Sequence, residues 1–379
     1  MEDVFSSAQA VVDNLKPTNP VYCLRPHILH QSAQKFLDHF PGRILYAVKC
    51  NPHLRVLKEL YHAGIHHFDT ASIAEIALVK DHLARAEAYF MHPVKGRDVI
   101  KEAAQHYQIT TYVIDHEDEL NKVIEEYGDV KTLNILVRFK TPPVKGMILY
   151  LSGKFGADKE EAGRLLKLAY DKGCNVGLKF HVGSQCVHLD AYAKALEMVG
   201  DILDTTKIPI KFLDVGGGFG ATYLNQKAPT IEEFLNVIKA GLAKLPLSKD
   251  CILMCEPGRV MVNDAMSLIV QVQLRKDDLL YINDGIYGAL PEMGLADVQW
   301  PAKLLRPNNQ YSENLKPFTL YGPTCDSADV LKYPFELPED IKEGDWIEID
   351  KVGAYSLAMA THFNGLYSDK LVIIDSKKN

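Results

Sequence analysis

Lys49 ends a buried strand in the sequence pattern and is the residue best suited to covalent chemistry. The apolar run 44–48 predicts a strand, and Asn51-Pro52 ends it because proline has no N–H to donate to a sheet. Apolar surroundings lower the pKa of a lysine toward the neutral amine, which is the form that makes a Schiff base with an aldehyde. Taken alone, the stretch favours a lysine that extends its ammonium into solvent, so the rest of the chain has to decide.

Ionisable residues or glycines also follow seven later apolar runs. In barrels of alternating strands and helices, chemistry takes place at the C-terminal ends of the strands. In chain order these ends carry Lys49, Asp69, His92, Asp115, Arg138, His181, Gly216-Gly217-Gly218, and Glu256 with Arg259. A barrel that only had to be stable would not need such residues, so the pattern predicts a functional site at this end.

Two of these strand ends could hold a phosphate and a heterocycle. In the glycine run 216–218, backbone N–H groups could converge on an anion, although such runs also make plain turns. Glu256 could hold a protonated ring nitrogen, while Gly258 and Arg259 supply an amide and a charge to a phosphate. An internal Glu256–Arg259 ion pair is the structural alternative.

Further candidates each have a structural alternative. His181 could stack on a planar ring and Ser184 could bond a phosphate, but a single strand-end histidine is more often structural. Cys325 and Asp326 follow a Gly-Pro turn and could form an exposed reactive pair, whereas most unpaired cysteines are buried. Tyr355 offers a phenol beside a turn, or a core side chain.

Eight strand-like runs alternate with helical patterns between residues 26 and 260. The strand-like runs are 43–50, 65–70, 88–92, 111–115, 134–140, 177–181, 211–215 and 251–256. The helical patterns lie near 53–63, 72–82, 96–106, 117–127, 157–172, 189–206 and 230–246. This alternation predicts a parallel (β/α)8 barrel, with a doubly wound sheet as the competing fold. Thr141–Gly156, after the fifth strand, is either a lid or substrate loop or an irregular connection.

Helical patterns stop after residue 260, and short alternating strands follow at 267–274, 279–282, 317–321, 346–349 and 371–374. We therefore expect a barrel domain over 26–260. A C-terminal all-β domain, sandwich-like or barrel-like, would comprise 261–379 together with 1–25, whose strand candidate is Val21–Leu24. Capping boxes are predicted at Ser72–Glu75 and Thr230–Glu233, and Asp158 is a further N-cap candidate.

Chain length, net charge and cysteine pattern restrict the classes of function that this protein can have. The chain has 379 residues and a net charge of −7, so binding to a nucleic-acid backbone is not expected. The N-terminus lacks a signal-peptide pattern, and no run of about 20 apolar residues predicts a membrane span. Seven scattered cysteines without a C-x-x-C pair predict reduced thiols, a cytoplasmic location and no zinc or other metal site.

Together these motifs resemble the fold-type III pyridoxal 5′-phosphate-dependent basic amino-acid decarboxylases, which have an alanine racemase-like fold, and within them the ornithine/lysine decarboxylase group. Seven motifs stand in the family's order, at 46–51, 181–185, 216–220, 256–259, 283–288, 322–326 and 353–355. Each is weak alone, but their common order spans almost the whole chain.

The resemblance implies roles for the barrel residues. Lys49 would bind the cofactor aldehyde covalently, with Asp69 near it and Arg138 close by. Glu256 would bond the pyridine nitrogen and keep it protonated, and His181 would stack on the ring. The phosphate ligands would be Ser184, Gly216, Gly217, Gly218, Gly258, Arg259 and Tyr355.

The resemblance also implies a homodimer with two shared active sites. Cys325 and Asp326 would come from the other subunit, Cys325 to direct protonation of the carbanion and Asp326 to bind the distal amine. Tyr287 would lie at the substrate. Ungapped counting places Ala296 where the ornithine enzymes have an acidic residue, so we assign that role to Asp297 with a one-residue shift.

The expected reaction is decarboxylation of L-ornithine to putrescine, with L-lysine to cadaverine as a second activity. A meso-diaminopimelate decarboxylase is the alternative, but its far-end carboxylate should face an arginine in 289–300, a segment that has no Arg or Lys. Arginine decarboxylation is disfavoured by chain length. A regulatory relative should have lost cofactor ligands, and a racemase should have arginine where this chain has Glu256.

Overall fold

The computed structural model describes residues 3–142 and 153–375, and the chain divides into two compact units. One unit comprises 33–221 and 228–260, and we call it the barrel unit. The other comprises 1–32, 222–227 and 261–379, and we call it the β unit.

The strands are β1 (Val4–Phe5), β2 (Val21–Leu24), β3 (Arg43–Ala47), β4 (His67–Thr70), β5 (Glu87–Phe90), β6 (Thr111–Ile114), β7 (Asn134–Arg138), β8 (Asn175–Lys179), β9 (Phe212–Asp214), β10 (Ile252–Cys255), β11 (Met266–Lys276), β12 (Leu279–Ile282), β13 (Ala302–Leu305), β14 (Leu315–Tyr321), β15 (Phe335–Pro338), β16 (Trp346–Ile349) and β17 (Leu371–Ile374).

The helices are α1 (Ala8–Leu15), α2 (Pro26–His39), α3 (Leu54–His62), α4 (Ile73–His82), α5 (Arg97–Gln105), α6 (Glu117–Tyr127), α7 (Lys159–Asp171), α8 (Leu189–Thr206), α9 (Ile231–Leu242), α10 (Arg259–Val262) and α11 (Pro291–Leu295). Within the two described ranges, no helix is both long enough and apolar enough to cross a membrane.

The barrel unit confirms the predicted fold. Strands β3 to β10 pair in parallel in chain order, and β10 closes the barrel by pairing with β3 as well as β9. Each predicted strand overlaps an observed one, and the boundaries differ by a few residues. The largest difference concerns β3, which ends at Ala47, so that Lys49 lies in a 3-10 turn over Val48–Cys50 instead of on the strand.

Side chains alternate across each barrel strand, so every second residue faces the same way. One face carries a buried apolar cluster, formed by Leu45, Tyr89, Met91, Val113, Leu136, Phe212 and Met254. Arg138, Asp214 and Glu256 stand two residues beyond three of these, and therefore lie on the same face, one layer nearer the C-terminal ends of the strands. The apolar layer therefore lies directly beneath the polar residues at the C-terminal opening of the barrel, which we call the mouth.

Helix starts follow local capping. Thr230 and Glu233 form the reciprocal capping box that the sequence predicts for α9. Ser72 caps α4 by accepting from the N–H of Glu75, but the Glu75 carboxylate accepts from the N–H of Ala71 instead of returning to Ser72. Asp158 occupies the N-cap of α7 without a capping hydrogen bond from its side chain.

The β unit contains a sheet that runs β1-β17-β2-β11-β12-β14-β15, with β16 pairing β11 and β13. The early strand β2 joins it, as predicted, between β17 and β11. Helix α1 packs Val11 and Val12 into a buried cluster with Cys23 and Val372 of the sheet. The sequence patterns missed the helices α1, α10 and α11 and the strands β1, β13 and β15. These elements are short, and their apolar residues do not stand out from the loops around them.

The long segment Thr141–Gly156, predicted as a lid, substrate loop or plain connection, lies largely outside the described residues, since 143–152 are not described. Its end is fixed on the barrel: the N–H of Gly156 donates to Asp115 Oδ2 at 2.8 Å. The ring of Phe155 packs edge-on against His92, with centroids 5.2 Å apart. Asp115 and His92, two of the strand-end residues, therefore hold the returning chain.

Candidate active site

Lys49 and Asp69 meet at the mouth of the barrel. The Lys49 ammonium donates to Asp69 Oδ2, and these two side chains are 38% and 3% exposed. A partner carboxylate favours the charged amine, so the apolar burial invoked from the sequence is wrong as a description of Lys49. The amine is instead held and oriented by one buried carboxylate, which can also accept its proton.

Glu256 lies in a buried cluster with Lys179 and Asp214. The Lys179 ammonium donates to Glu256 Oε1 and lies 3.2 Å from Asp214 Oδ2, and all three side chains are at most 2% exposed. Glu256 therefore pairs with Lys179, and not with Arg259 as the structural alternative proposed. Burial and the nearby carboxylate of Asp214 raise the pKa of Glu256, while Lys179 opposes the rise.

His181 and Arg138 bring a neutral ring and a cation to the same mouth. Burial and the cations Arg138, Lys49 and Lys179 hold the pKa of His181 well below its usual range. Its Nδ1 accepts the N–H of Gly183 at 3.0 Å, which requires an unprotonated nitrogen there. A neutral imidazole can stack on a positively charged ring without electrostatic repulsion.

The three glycines at 216–218 are required by close backbone packing. A Cβ at Gly216 would lie 2.1 Å from the carbonyl oxygen of Phe180, and at Gly217 it would lie 2.2 Å from that of Glu256. Gly218 has φ +100° and would place a Cβ 2.2 Å from the carbonyl oxygen of Gly183. The N–H of Gly216 donates to Asp214 Oδ1 at 2.8 Å. Any side chain at these three positions would therefore collide with the neighbouring backbone, so only glycine fits the turn.

Ser184 and Arg259 approach each other beside this turn, with Ser184 Oγ accepting from Arg259 Nη2 at 3.4 Å. Gly258 lies against the β-carbons of Cys50 and Ala47, where a Cβ of its own would be 3.1 Å and 3.2 Å away. Residues 184 and 258–259 thus bring a hydroxyl and a guanidinium to one side of the barrel mouth.

These residues fit pyridoxal phosphate, the cofactor that the resemblance implies. Arg138 is buried, and its Nη2 has no hydrogen-bond partner among residues 3–142 and 153–375. In the same described part of the chain, the N–H groups of Gly217 and Gly218 have no acceptor. A phosphate supplies acceptors of the kind these donors lack, and Glu256 Oε2 is an acceptor for a protonated ring nitrogen.

Tyr287, Cys325 and Asp326 stand together in the β unit. The Tyr287 hydroxyl donates to Asp326 Oδ2, and Asp326 Oδ1 accepts the N–H of Ala328 at 2.9 Å. Cys325 is exposed, as the reactive alternative requires, and its N–H donates to the side chain of Asn364 at 3.0 Å. The structure brings these three predicted substrate residues into one surface cluster.

Two buried carboxylates brace this cluster. Asp329 Oδ1 accepts the N–H of Ile286 at 2.9 Å, and its Oδ2 accepts the N–H and hydroxyl of Thr324 at 3.1 Å and 2.7 Å. Asp284 Oδ1 accepts the N–H groups of Gly285 and Ala289 at 2.7 Å and 2.8 Å. Asp329 therefore ties the loop of Tyr287 to the loop of Cys325 and Asp326.

Asp297 and Tyr355, the remaining predicted site residues, also belong to the β unit. The Asp297 side chain is 83% exposed, and it accepts from Lys332 at 3.1 Å and from the Tyr333 hydroxyl. Tyr355 is half-buried with a left-handed backbone, φ +52°. The roles of both residues stay predictions.

Sequence reasoning missed Lys179, Asp214 and Asp329. A signal existed for the first two, because each is the charged last residue of a mainly apolar strand, so strand alternation alone would have put a charge on the inner face. Asp329 gave no such signal, since an aspartate in a polar turn is usually a solvated residue.

Two relatives are similar to almost the whole chain. Antizyme inhibitor 2 of Xenopus laevis is 34% identical over 355 residues, which is 87% of this chain and 75% of that protein. Lysine/ornithine decarboxylase of Selenomonas ruminantium is 31% identical over 359 residues, 92% of this chain and 88% of that protein. One name describes a decarboxylase of two basic amino acids, and the other names no decarboxylation.

Among solved structures, arginine decarboxylase of Paramecium bursaria Chlorella virus, bound to agmatine, superposes with a TM-score of 0.85 at 26% identity. The match covers 96% of this chain and 98% of that one. An enzyme named for arginine thus has the length of this chain, so the argument from length against arginine decarboxylation is wrong.

The sequence profile described as pyridoxal-dependent decarboxylase, pyridoxal binding domain, matches residues 27–263. That range contains Lys49, Glu256 and the glycine turn whose geometry fits the cofactor. The chain therefore belongs to the pyridoxal-dependent decarboxylases that act on basic amino acids, and its cofactor is pyridoxal phosphate.

Proposed function

We propose that the chain removes CO2 from L-ornithine to give putrescine, and that it accepts L-lysine as a second substrate. The observation that carries the proposal is the exposed pair Cys325–Asp326, with Asp326 oriented by Tyr287. A carboxylate on this loop suits the distal ammonium of a diamino acid and would repel the far-end carboxylate of meso-diaminopimelate.

The barrel residues would hold the cofactor at three points. Ser184, Arg259 and the N–H groups of the glycine turn would bind the phosphate, together with Gly258. Tyr355, which belongs to the β unit, is the remaining predicted phosphate ligand. Glu256 would accept from the ring nitrogen, and the neutral ring of His181 would lie against the cofactor's face. The Lys49 amine would be the group that holds the aldehyde, with Asp69 placed to accept its proton and Arg138 close by.

Bound pyridoxal phosphate supplies an electron sink for the pair of electrons left at the α-carbon when CO2 departs. The protein's part is to orient the substrate and to return a proton. Asp326 would bind the distal ammonium, with Tyr287 and Asp297 nearby, and the Cys325 thiol would deliver the proton to the α-carbon. Lys49, held by Asp69, would be the amine positioned to exchange with the product diamine.

We also propose that the active protein is a homodimer with two shared sites, in which each barrel receives Cys325 and Asp326 from its partner subunit. Mixing inactive Lys49→Ala and Cys325→Ala chains should restore part of the activity, because each mixed dimer would have one intact site. Absence of recovery, with dimers verified by light scattering, would argue against sharing.

A panel of ornithine, lysine, arginine and meso-diaminopimelate, with CO2 release measured for each, tests the substrate. We expect the highest kcat/KM for ornithine and a measurable value for lysine. A highest value for arginine or diaminopimelate would replace the proposed substrate. No release from any of the four, by protein that carries the cofactor, would favour a non-catalytic role.

Attachment at Lys49 is tested separately. Purified protein should be yellow, and borohydride should fix the cofactor irreversibly to the peptide that contains Lys49, as seen by mass spectrometry. The Lys49→Ala variant should lose this label and roughly 10²–10⁴-fold in kcat. A label on another lysine would move the attachment site.

A further inference from the structure

Lys179 is the last residue of β8, and its side chain is buried beneath the candidate cofactor site. Its ammonium lies between two carboxylates from neighbouring strands, Asp214 of β9 and Glu256 at the end of β10. Burying an ammonium costs several kcal/mol, and replacing a buried ion cluster by apolar residues is often neutral or stabilising. Stability is therefore a weak explanation for a lysine at position 179, and a functional role explains it better.

The cluster of Lys179, Asp214 and Glu256 has a net charge of minus one when all three side chains are ionised. Two carboxylates and one ammonium sum to one negative charge, confined where the side chains are at most 2% exposed. The other ionisable groups that bear on Glu256 are Lys49, Asp69, Arg138 and Cys255. Lys49 is paired with Asp69, which leaves the Lys179 cluster as the group in direct contact with Glu256.

Asp214 connects the cluster to the phosphate end of the site. Its Oδ1 accepts the N–H of Gly216 at 2.8 Å, while its Oδ2 faces Lys179. The single ammonium therefore stands between the carboxylate proposed for the ring nitrogen and the carboxylate that holds the glycine turn. A change of charge at Lys179 would therefore alter the electrostatic environment of both carboxylates, Asp214 and Glu256.

We propose that Lys179 is a positioning residue of the cofactor site: by neutralising one of two buried carboxylates, it leaves a single negative charge that matches the single positive charge of a protonated ring nitrogen. The proposal rests on the role proposed for Glu256. Lys179 occupies Oε1 of that carboxylate, so Oε2 is the oxygen left for the ring. Without the lysine, the two carboxylates would place two negative charges beside one positive nitrogen.

The raised pKa of Glu256, to about 8, is consistent with this charge count. Burial and the carboxylates Asp214 and Asp69 raise it against the opposing charges of Lys179 and Lys49. The N–H of a protonated cofactor ring, donating to Oε2, would supply the positive charge that this buried cluster lacks.

The test measures binding of 4′-deoxypyridoxine 5′-phosphate, which has the ring nitrogen and the phosphate but no aldehyde, so that Lys49 chemistry does not contribute. Its dissociation constant is measured from pH 6 to 9.5 for the apoprotein and its variants. Affinity should fall as the ring nitrogen of the complex loses its proton, and the midpoint of that fall reports the negative charge around it.

Four proteins give a graded series of cluster charge. Asp214→Asn makes it zero, the unaltered protein and Lys179→Met/Asp214→Asn make it minus one, and Lys179→Met makes it minus two. The amide oxygen introduced by Asp214→Asn can still accept from the N–H of Gly216. We expect the midpoint to rise by about one pH unit, a tenfold change in proton affinity, for each added negative charge. The double variant should match the unaltered protein.

Lys95→Met is the matched control. Lys95 is also buried, and pairs with Glu119 at 2.9 Å, but neither residue contacts Glu256 among the described residues. This variant should lose stability and keep the midpoint. If Lys179→Met does not fold, the other three proteins still test the order by charge.

Equal midpoints across the series, or a shift of the same size in Lys95→Met, would overturn the proposal. Failure of the unaltered protein to bind the analogue would remove the cofactor site and this proposal with it. The midpoint could follow the cluster charge in a protein that releases no CO2 from ornithine. That result would support the role of Lys179 and reject only the proposed substrate.

Discussion

Buried carboxylates at the barrel mouth and in the β-unit loops are satisfied in different ways. In the barrel, Asp69 faces Lys49, and Lys179 lies between Asp214 and Glu256. These are ion pairs, whose strength depends on the protonation of every member and on whatever charged ligand enters.

In the β unit, Asp284 and Asp329 are as deeply buried, at 7% and 2% exposed, but they accept from N–H and hydroxyl groups. No cation forms an ion pair with either residue in the described part of the chain. Backbone donors cannot titrate, so these carboxylates fix the shape of a loop without a charged partner.

The comparison suggests a division of work. Titratable partners suit a site that takes up a charged cofactor and moves protons, whereas backbone partners suit loops that must present Tyr287 and Asp326 in one arrangement. Changes in the loops should therefore alter substrate binding or stability and leave cofactor affinity as it is. Five variants test that separation, in order of decreasing expected effect.

Asp326→Ala should raise KM for ornithine by about thirtyfold or more, since the distal ammonium would lose its charged partner. Affinity for pyridoxal phosphate should not change. Steady-state kinetics and a cofactor titration on one preparation check both. A parallel loss of cofactor affinity would break the proposed division.

Asp284→Asn should stabilise the protein at neutral pH. Burial raises the pKa of Asp284 to about 6, against the opposing N–H groups of Ala289 and Gly285. A raised pKa means that stability is lost as pH rises from about 4 through about 6, and asparagine avoids that loss while still accepting both N–H groups.

The gain from Asp284→Asn should be absent below pH 4 and reach at most about 3 kcal/mol above pH 6. Urea unfolding at pH 4, 5, 6 and 7 measures it, with Asp297→Asn as an exposed control. A gain that does not depend on pH would contradict the assigned cause.

Asp329→Ala removes the acceptor for two N–H groups and one hydroxyl, at Ile286 and Thr324. Water can reach these partly buried groups, so we expect a loss of about 1–3 kcal/mol in the free energy of unfolding. Loosened loops should also raise KM for ornithine. An unchanged KM in a destabilised protein would show that Asp329 does not position the substrate residues.

Tyr287→Phe deletes the hydrogen bond to Asp326 and keeps the ring against Phe363, whose centroid is 4.9 Å away. A single partly buried bond of this kind contributes modestly, so KM should rise roughly two- to tenfold. The double variant Tyr287→Phe/Asp326→Ala should be no worse than Asp326→Ala, because the hydroxyl acts through that carboxylate.

Asp297→Ala should leave the stability almost unchanged, since its pair with Lys332 is exposed and screened by solvent. If Asp297 contacts the distal amine, KM for ornithine should rise while cofactor absorbance stays the same. Lys332→Ala is the control, because it removes the ion pair and leaves the carboxylate. An unchanged KM in Asp297→Ala would take that residue out of the site.

The sequence alone determined the barrel, because eight apolar runs separated by helical patterns have few other ways to bury their surfaces. It also placed Lys49, His181 and Glu256 near the same mouth, since C-terminal ends of parallel strands meet at one edge of a sheet. These conclusions need only local periodicity and the direction of the chain.

Tertiary structure decided which charges are neighbours. Alternation puts Lys179 on the inner face, but only closure of the barrel brings it to Glu256, 77 residues later in the chain. Likewise, Asp329 is an unremarkable turn residue until folding places Ile286 beside it. Local patterns report which way a side chain faces, whereas the partner it meets depends on long-range packing, and here that packing sets the charge of the proposed cofactor site.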